Sequence, residues 1–233
     1  MQLQKLLVIA SLWAVALLAS LSAQNVTVTV TIFSDNGYAL FYTDPASGNL
    51  VRAGFRGGYD QSAWRIPDTH TFSAPLNSYL YVIAHDQGIA AFMAAKVVFP
   101  NTTVYTGVGD DWEVNELYRT DLSSSFNEFQ DTDPVCQPAT VLDWLAQSNS
   151  WVQPAVGAEV GNATNDQRQA ENDLFRPARY IWAPPGGGDY WDFTGYTDAG
   201  TALFRLKVVP EPASWLVLGV GLAGLAKLKR RKG

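Results

Sequence analysis

Residues 26–32 read Val-Thr-Val-Thr-Val-Thr-Ile, a strict alternation of apolar and polar β-branched side chains. A period of two places one set on each face of a strand, so this run predicts a β-strand with one buried row and one wet row. Branching at Cβ stiffens χ1 and lowers helix propensity, which removes the main competing conformation. A half-buried strand cannot stand alone, so the chain is committed to a sheet.

The following residues supply the partners. Asn36-Gly37 is a tight-turn signal ahead of a strand at Tyr38–Tyr42. Further strands are predicted at Leu50–Phe55, His70–Phe72, Tyr79–His85, Ile89–Phe99, Val104–Gly107 and Trp112–Leu117. Within this set Ala90–Ala95 fits a helix equally well. The segments between are rich in Gly, Asn, Asp, Pro and Ser. Many short strands at near-regular spacing favour an antiparallel β-sandwich over any α/β arrangement. From Arg119 to Gly188 the pattern loosens, as in an insertion that carries surface loops. Within it Ala139–Gln147, with Val141, Leu142, Trp144 and Leu145, fits one short amphipathic helix. Strand character returns at Arg176–Ala183 and Thr201–Val209. No repeat and no interior linker divides the body.

Both ends depart from this pattern. Lys5 precedes an uncharged run over residues 6–21, and Ser20-Leu21-Ser22-Ala23 supplies small residues at its exit. Positive end, apolar run and small exit make a secretory signal over residues 1–23, with cleavage after Ala23 by signal peptidase following passage through the secretion translocase. Retention of the run as a membrane anchor is the competing reading. At the other end Pro210-Glu211-Pro212 precedes an uncharged stretch, Ala213–Ala226, and a basic tail over residues 227–233 with Lys227, Lys229, Arg230, Arg231 and Lys232. Two prolines cannot join a helix interior or a central strand, so they hold the backbone extended. The 14 residues from Ala213 to Ala226 span ~21 Å as a helix. That makes a short transmembrane helix against a ~30 Å hydrocarbon core. The basic end favours a cytoplasmic tail and an exported body, residues 24–209.

Charge narrows the partners. The chain has 16 basic and 22 acidic residues; the two ends hold six of the basic ones and one acidic, Glu211, leaving 10 against 21 in the body, or −11. A phosphate backbone needs a basic stripe, so nucleic acid is excluded as a partner. No HExxH, GxSxG, P-loop or CxxC motif occurs, and no cofactor is expected. His70 and His85 are too few for a metal cluster. Asp110, Asp111 and Glu113 have the oxygen chemistry of a weak Ca²⁺ site, with solvated loop acids as the commoner explanation. Cys136 is the single cysteine, so no intramolecular disulfide forms; a small buried residue is the expectation, with intermolecular pairing as the alternative.

The ordered Val209-Pro210-Glu211-Pro212-Ala213, Gly-containing apolar stretch and Lys-Arg-Arg-Lys resemble the PEP-CTERM sorting signal of Gram-negative bacteria. The resemblance covers Val209 to Lys232. It implies recognition by an exosortase, a membrane-embedded cysteine protease, inner-membrane anchoring during sorting, and company with exopolysaccharide and biofilm matrix. The body resembles a galactose-binding-like jelly-roll found among such proteins. The residues that carry this are Ser34–Leu40, Trp64–Thr69, Tyr79–Ala84, Asp111–Val114 and Ala178–Trp182. That resemblance implies a jelly-roll-like sandwich in which the final strand returns beside the opening one.

The expected function is that of an exported cell-surface or biofilm-matrix protein with a non-enzymatic structural or adhesive body. Two alternatives stand beside it. One is an exopolysaccharide-binding module, with Asp189, Tyr190, Trp191 and Asp192 as glycan contacts. Aromatic faces there would stack on sugar rings after the flexible Gly186–Gly188. The late aromatics Trp151, Tyr180, Trp182 and Tyr196 belong to the same group, with burial as the default for most. The other alternative is a secreted glycan hydrolase whose carboxylates lie far apart in sequence.

Overall fold

The computed structural model describes residues 24–35, 37–57, 67–86, 92–109, 111–117, 119, 134–160, 177–183 and 200–208. The strands are β1 (Asn25–Asp35), β2 (Gly37–Thr43), β3 (Leu50–Arg56), β4 (Asp68–Pro75), β5 (Tyr79–Asp86), β6 (Phe92–Phe99), β7 (Thr102–Tyr105), β8 (Trp112–Asn115), β9 (Trp151–Val152), β10 (Ala155–Glu159), β11 (Arg179–Trp182) and β12 (Gly200–Lys207). They form two antiparallel sheets. The first runs β10-β11-β6-β1-β4 with β7 also on β6, and the second runs β3-β2-β5-β12-β8-β9. The fold is mainly β and sandwich-like, as the sequence predicts.

The alternating run becomes β1, at the interior of the first sheet between β4 and β6. Val26, Val28, Val30 and Ile32 are buried against the second sheet. Each such side chain contributes ~1.5–3 kcal/mol on full burial. Facing them across the sandwich are Tyr38, Leu40, Leu80, Val82, Ala84, Trp112, Val114, Phe204 and Leu206. Thr27, Thr29 and Thr31 lie on the outer face, opposite Ser73, Thr71 and Thr69 of β4.

The chain changes sheet repeatedly. The step from β1 to β2 is one such crossing and not a hairpin, because β1 pairs with β4 and β6 whereas β2 pairs with β3 and β5. The β2–β3 hairpin turns instead through residues 44–49. There the Asp44 carboxylate accepts bonds from the Ala46 and Ser47 amides and the Ser47 hydroxyl, and Gly48 adopts φ +71°. The ambiguous Ala90–Ala95 resolves as strand from Phe92, with Ala94 and Ala95 wholly buried in β6. The final strand does not return beside the opening ones: β12 pairs with β5 and β8, and β5 separates it from β2. Its apolar run, Gly-Thr-Ala-Leu-Phe, suits a position buried on both faces.

The region read as loops also holds two strands, β9, which has only two residues, and β10, whose Ala-Val-Gly-Ala-Glu carries no clear alternation. The predicted helix forms as α1 (Pro138–Gln147), with Pro138 in its first turn, where a missing amide proton costs nothing. Val141 and Trp144 face inward, while Leu142 is 57% exposed. Together with Val135 and Cys136 they cover Ala39, Phe41, Ile83 and Leu203 on the outer face of the second sheet, building a second core. Cys136 is fully buried there. Trp144 fixes the helix further by donating its indole N–H to the Leu117 carbonyl at 3.0 Å. Among the described residues no helix is long and apolar enough to cross a membrane. The signal and tail helices predicted at the ends lie outside the described residues.

Candidate functional site

Beyond the edge of α1 the outer face of the second sheet changes character. On β12, Leu203 belongs to the second core, and two residues on Arg205 emerges from the same face. The register puts Arg205 between Tyr81 of β5 and Glu113 of β8. Its Nε donates to Glu113 Oε2 at 2.6 Å. The guanidinium lies 4.0 Å from the Trp151 ring centroid and 4.7 Å from that of Tyr79. A planar, weakly hydrated cation suits two aromatic faces and a carboxylate at once. Tyr81 completes the patch, 6.1 Å from Tyr79 and 6.4 Å from Trp151 between centroids.

All five side chains are half-buried. The Arg205 and Glu113 side chains keep 17% and 33% exposure, so the patch reaches solvent. Burial raises the Tyr81 phenol above its usual range, with Arg205 opposing. Tyr81 therefore stays a neutral donor at physiological pH. Trp151 donates its indole N–H to Asn149 Oδ1 at 3.2 Å, and its backbone pairs opposite Asn115 on β8. The result is a platform of three aromatic rings around one arginine, held by four strands. Rings, a phenolic donor and a cation suit a polyhydroxylated ligand, which stacks its apolar face and hydrogen-bonds at the rim.

A second cluster lies inside the sandwich, where β4 approaches β3. The Tyr38 hydroxyl donates to Asp68 Oδ2 at 3.0 Å and sits 2.7 Å from His70 Nε2. Arg56 donates to the other Asp68 oxygen at 2.9 Å. Burial lowers the His70 pKa, against the opposing charge of Asp68. A neutral His70 with its proton on Nε2 donates to Tyr38 and leaves the Tyr38 proton for Asp68, so one assignment accounts for both contacts of the Tyr38 hydroxyl. Burial, then Asp68, pushes the Tyr38 phenol far up. Tyr38 is thus held protonated as part of a clamp between the two sheets. Gly54 provides the room, since a Cβ there would collide with the His70 ring.

The residues singled out from sequence are placed as follows. Glu113 is committed to Arg205, and Asp111 is exposed just before β8. Asp110 lies outside the described residues. Among the described residues no group of three or more His, Cys, Asp or Glu side chains is placed to hold a metal ion. Trp182 is fully buried in the main core, whereas Trp151 is on the platform. Asp189, Tyr190, Trp191 and Asp192, Ala23, the motif Pro210–Pro212 and the basic tail are outside the described residues. Sequence reasoning passed over Tyr79, Tyr81 and Arg205. The available signal was a lone charge inside the apolar strand Thr201–Leu206.

The last described residue, Val208, is buried and follows directly on β12. Residues 208–232 match the family model of the PEP-CTERM protein-sorting motif. The motif begins at the residue where the sandwich ends. It marks an exported chain that is sorted by an exosortase from a membrane-anchored state. No curated protein and no solved structure matches the chain.

Proposed function

We propose that this exosortase-sorted protein serves at the cell surface or in the biofilm matrix, with a non-enzymatic structural or adhesive body. The carrying observation is the sorting motif at residues 208–232, joined without a spacer to a two-sheet body. The joint supports a division of labour in which the tail delivers and the sandwich remains. Mass spectrometry of the mature protein tests delivery. In cells with an active exosortase the product lacks Lys227–Gly233; a product that keeps them overturns sorting by processing. Release of reducing ends from the native exopolysaccharide by the purified body would overturn the non-enzymatic part.

The platform favours a second reading, a carbohydrate-binding body. Stacking on Trp151, Tyr79 and Tyr81 would be weak per molecule and would gain by multivalency on a surface. Trp151→Ala is expected to fold and sort normally yet co-sediment several-fold less with the native exopolysaccharide. Undiminished co-sedimentation removes this reading and leaves the structural one.

A further inference from the structure

The chain enters and leaves the sandwich at one spot, and a single turn holds both strands of the crossing. Residues Pro75–Ser78 connect β4 to β5. The Leu76 amide donates to the Gln24 carbonyl at 2.9 Å, which pins the first described residue. The Asn77 amide donates to the Val208 carbonyl and the Val208 amide donates to the Ser78 carbonyl, both at 2.9 Å, which pins the last. The turn is itself braced: the Ser78 hydroxyl donates to the Pro75 carbonyl at 2.6 Å, and Asn77 adopts φ 63°, a conformation that asparagine tolerates better than most residues. Leu76 and Val208 are buried beneath it, while Gln24, Asn77 and Lys207 are exposed around it.

Chain length makes this turn a foot. Four residues, 209–212, separate Val208 from the apolar stretch that begins at Ala213. Fully extended they reach at most ~14 Å. Any enzyme that grips Pro210-Glu211-Pro212 has its own surface within that reach of the turn. We infer that the Pro75–Ser78 turn, with Gln24 and Lys207 beside it, is the face of the body that docks on the exosortase, so that the enzyme reads the folded foot together with the motif. This rests on the sorting reading above. The opposite pole, where Val156 pairs with Ile181 and Ile181 with Met93, points away from the enzyme.

Cysteine chemistry offers a direct test, because the native Cys136 is fully buried and does not compete for label. The full chain carrying Lys207→Cys or Val156→Cys, each bearing a photo-crosslinker, is expressed with an exosortase inactivated at its nucleophile. Lys207→Cys is expected to capture the enzyme several-fold more than Val156→Cys; equal capture, or capture from Val156→Cys alone, overturns the docking face. In a second arm, ten Gly-Ser residues inserted after Val208 leave the clamp intact but let the foot wander by ~17 Å. Loss of the tail is then expected to slow several-fold with active enzyme. Unchanged or faster loss overturns the inference and leaves sorting intact. A wild-type chain that keeps its tail beside active exosortase overturns both.

Discussion

The two sheets turn unlike outer faces to their surroundings. On the first sheet, β1 and β4 show Thr27, Thr29 and Thr31 opposite Ser73, Thr71 and Thr69, a hydroxyl field two strands wide. On the second sheet, β2, β5 and β12 show Phe41, Ile83 and Leu203, and these are covered by α1 and the turn before it. Beside β4 the first face is a row of hydroxyls that turns apolar only toward the end of β1, where Phe33, Ala94 and Phe92 are buried, whereas the second face begins a second core. The difference lies in how each strand is written. A strict alternation has one face to bury, whereas Tyr-Leu-Tyr-Val-Ile-Ala and Gly-Thr-Ala-Leu-Phe have two. The aromatic platform sits at the margin of the second face, where cover by α1 gives way to a half-exposed surface.

The largest expected effect tests whether that second layer is a true core. Trp144 is fully buried and donates to Leu117, so Trp144→Ala removes the centre of the layer and one hydrogen bond. A loss of ~3–5 kcal/mol is expected in denaturant unfolding. A loss below ~1 kcal/mol would show that α1 is only draped on the sheet.

A pH titration sharpens the same contrast. His85 lies on the outer face of β5, wholly buried, with Nδ1 3.1 Å from the Thr201 hydroxyl. Burial pushes its pKa down to about 4. Its folded pKa is below its unfolded value, so the unfolded chain binds the extra proton first. Stability from this group is full above ~pH 6.5 and falls as pH drops toward 4, by up to ~3 kcal/mol. His70, also lowered by burial, adds a loss of the same sign. Unfolding midpoints measured from pH 7 to pH 4 should decline, and His85→Gln should flatten the decline. An unchanged slope in that variant would place the pH dependence elsewhere.

What the sequence made legible follows the same division. The alternation at Val26–Ile32 announced both its buried and its wet row, and the apolar runs of β5 and β12 announced strands. The pairing of β12 between β5 and β8 was not legible, because an apolar run on a two-sided strand carries no register signal. β9 and β10 are not legible, because β9 has only two residues and the small residues and Gly157 of Ala-Val-Gly-Ala-Glu blur any alternation in β10. The platform was half legible. In the sequence Trp151 is one of several late aromatics. Its meeting with Tyr79 and Arg205 depends on strands more than 50 residues apart, and only the sheet brings them together.

The seam between the sheets offers an intermediate perturbation. Gly54 faces His70 across the sandwich with no room for a Cβ. Gly54→Ala should cost ~1–3 kcal/mol by pushing the ring off Tyr38 and opening the clamp. The Tyr38 resonances in an NMR spectrum should shift with it. A silent substitution would mean that the clamp yields freely, and that the sheets are held by apolar packing alone.

The smallest effect belongs to the hydroxyl field, and its smallness is the point. Thr29 and Thr71 place their hydroxyl oxygens 3.1 Å apart on the exposed face, and Thr31 and Thr69 repeat the contact at 3.1 Å. Water competes for each of these bonds, so a cross-strand pair of this kind contributes ~0.2–1 kcal/mol. Thr29→Val and Thr71→Val keep the β-branched shape and remove the hydroxyls. Each should change stability by under ~0.5 kcal/mol, and a double-mutant cycle should return a coupling of similar size. The same exchange at a buried position would strand a polar partner. Here the lost partner is replaced by solvent, which is why β1 can present a hydroxyl row outward at little cost in stability. A coupling above ~1 kcal/mol would mean that this face is shielded from water, and the contrast between the two outer faces would then fail on the side that looks simplest.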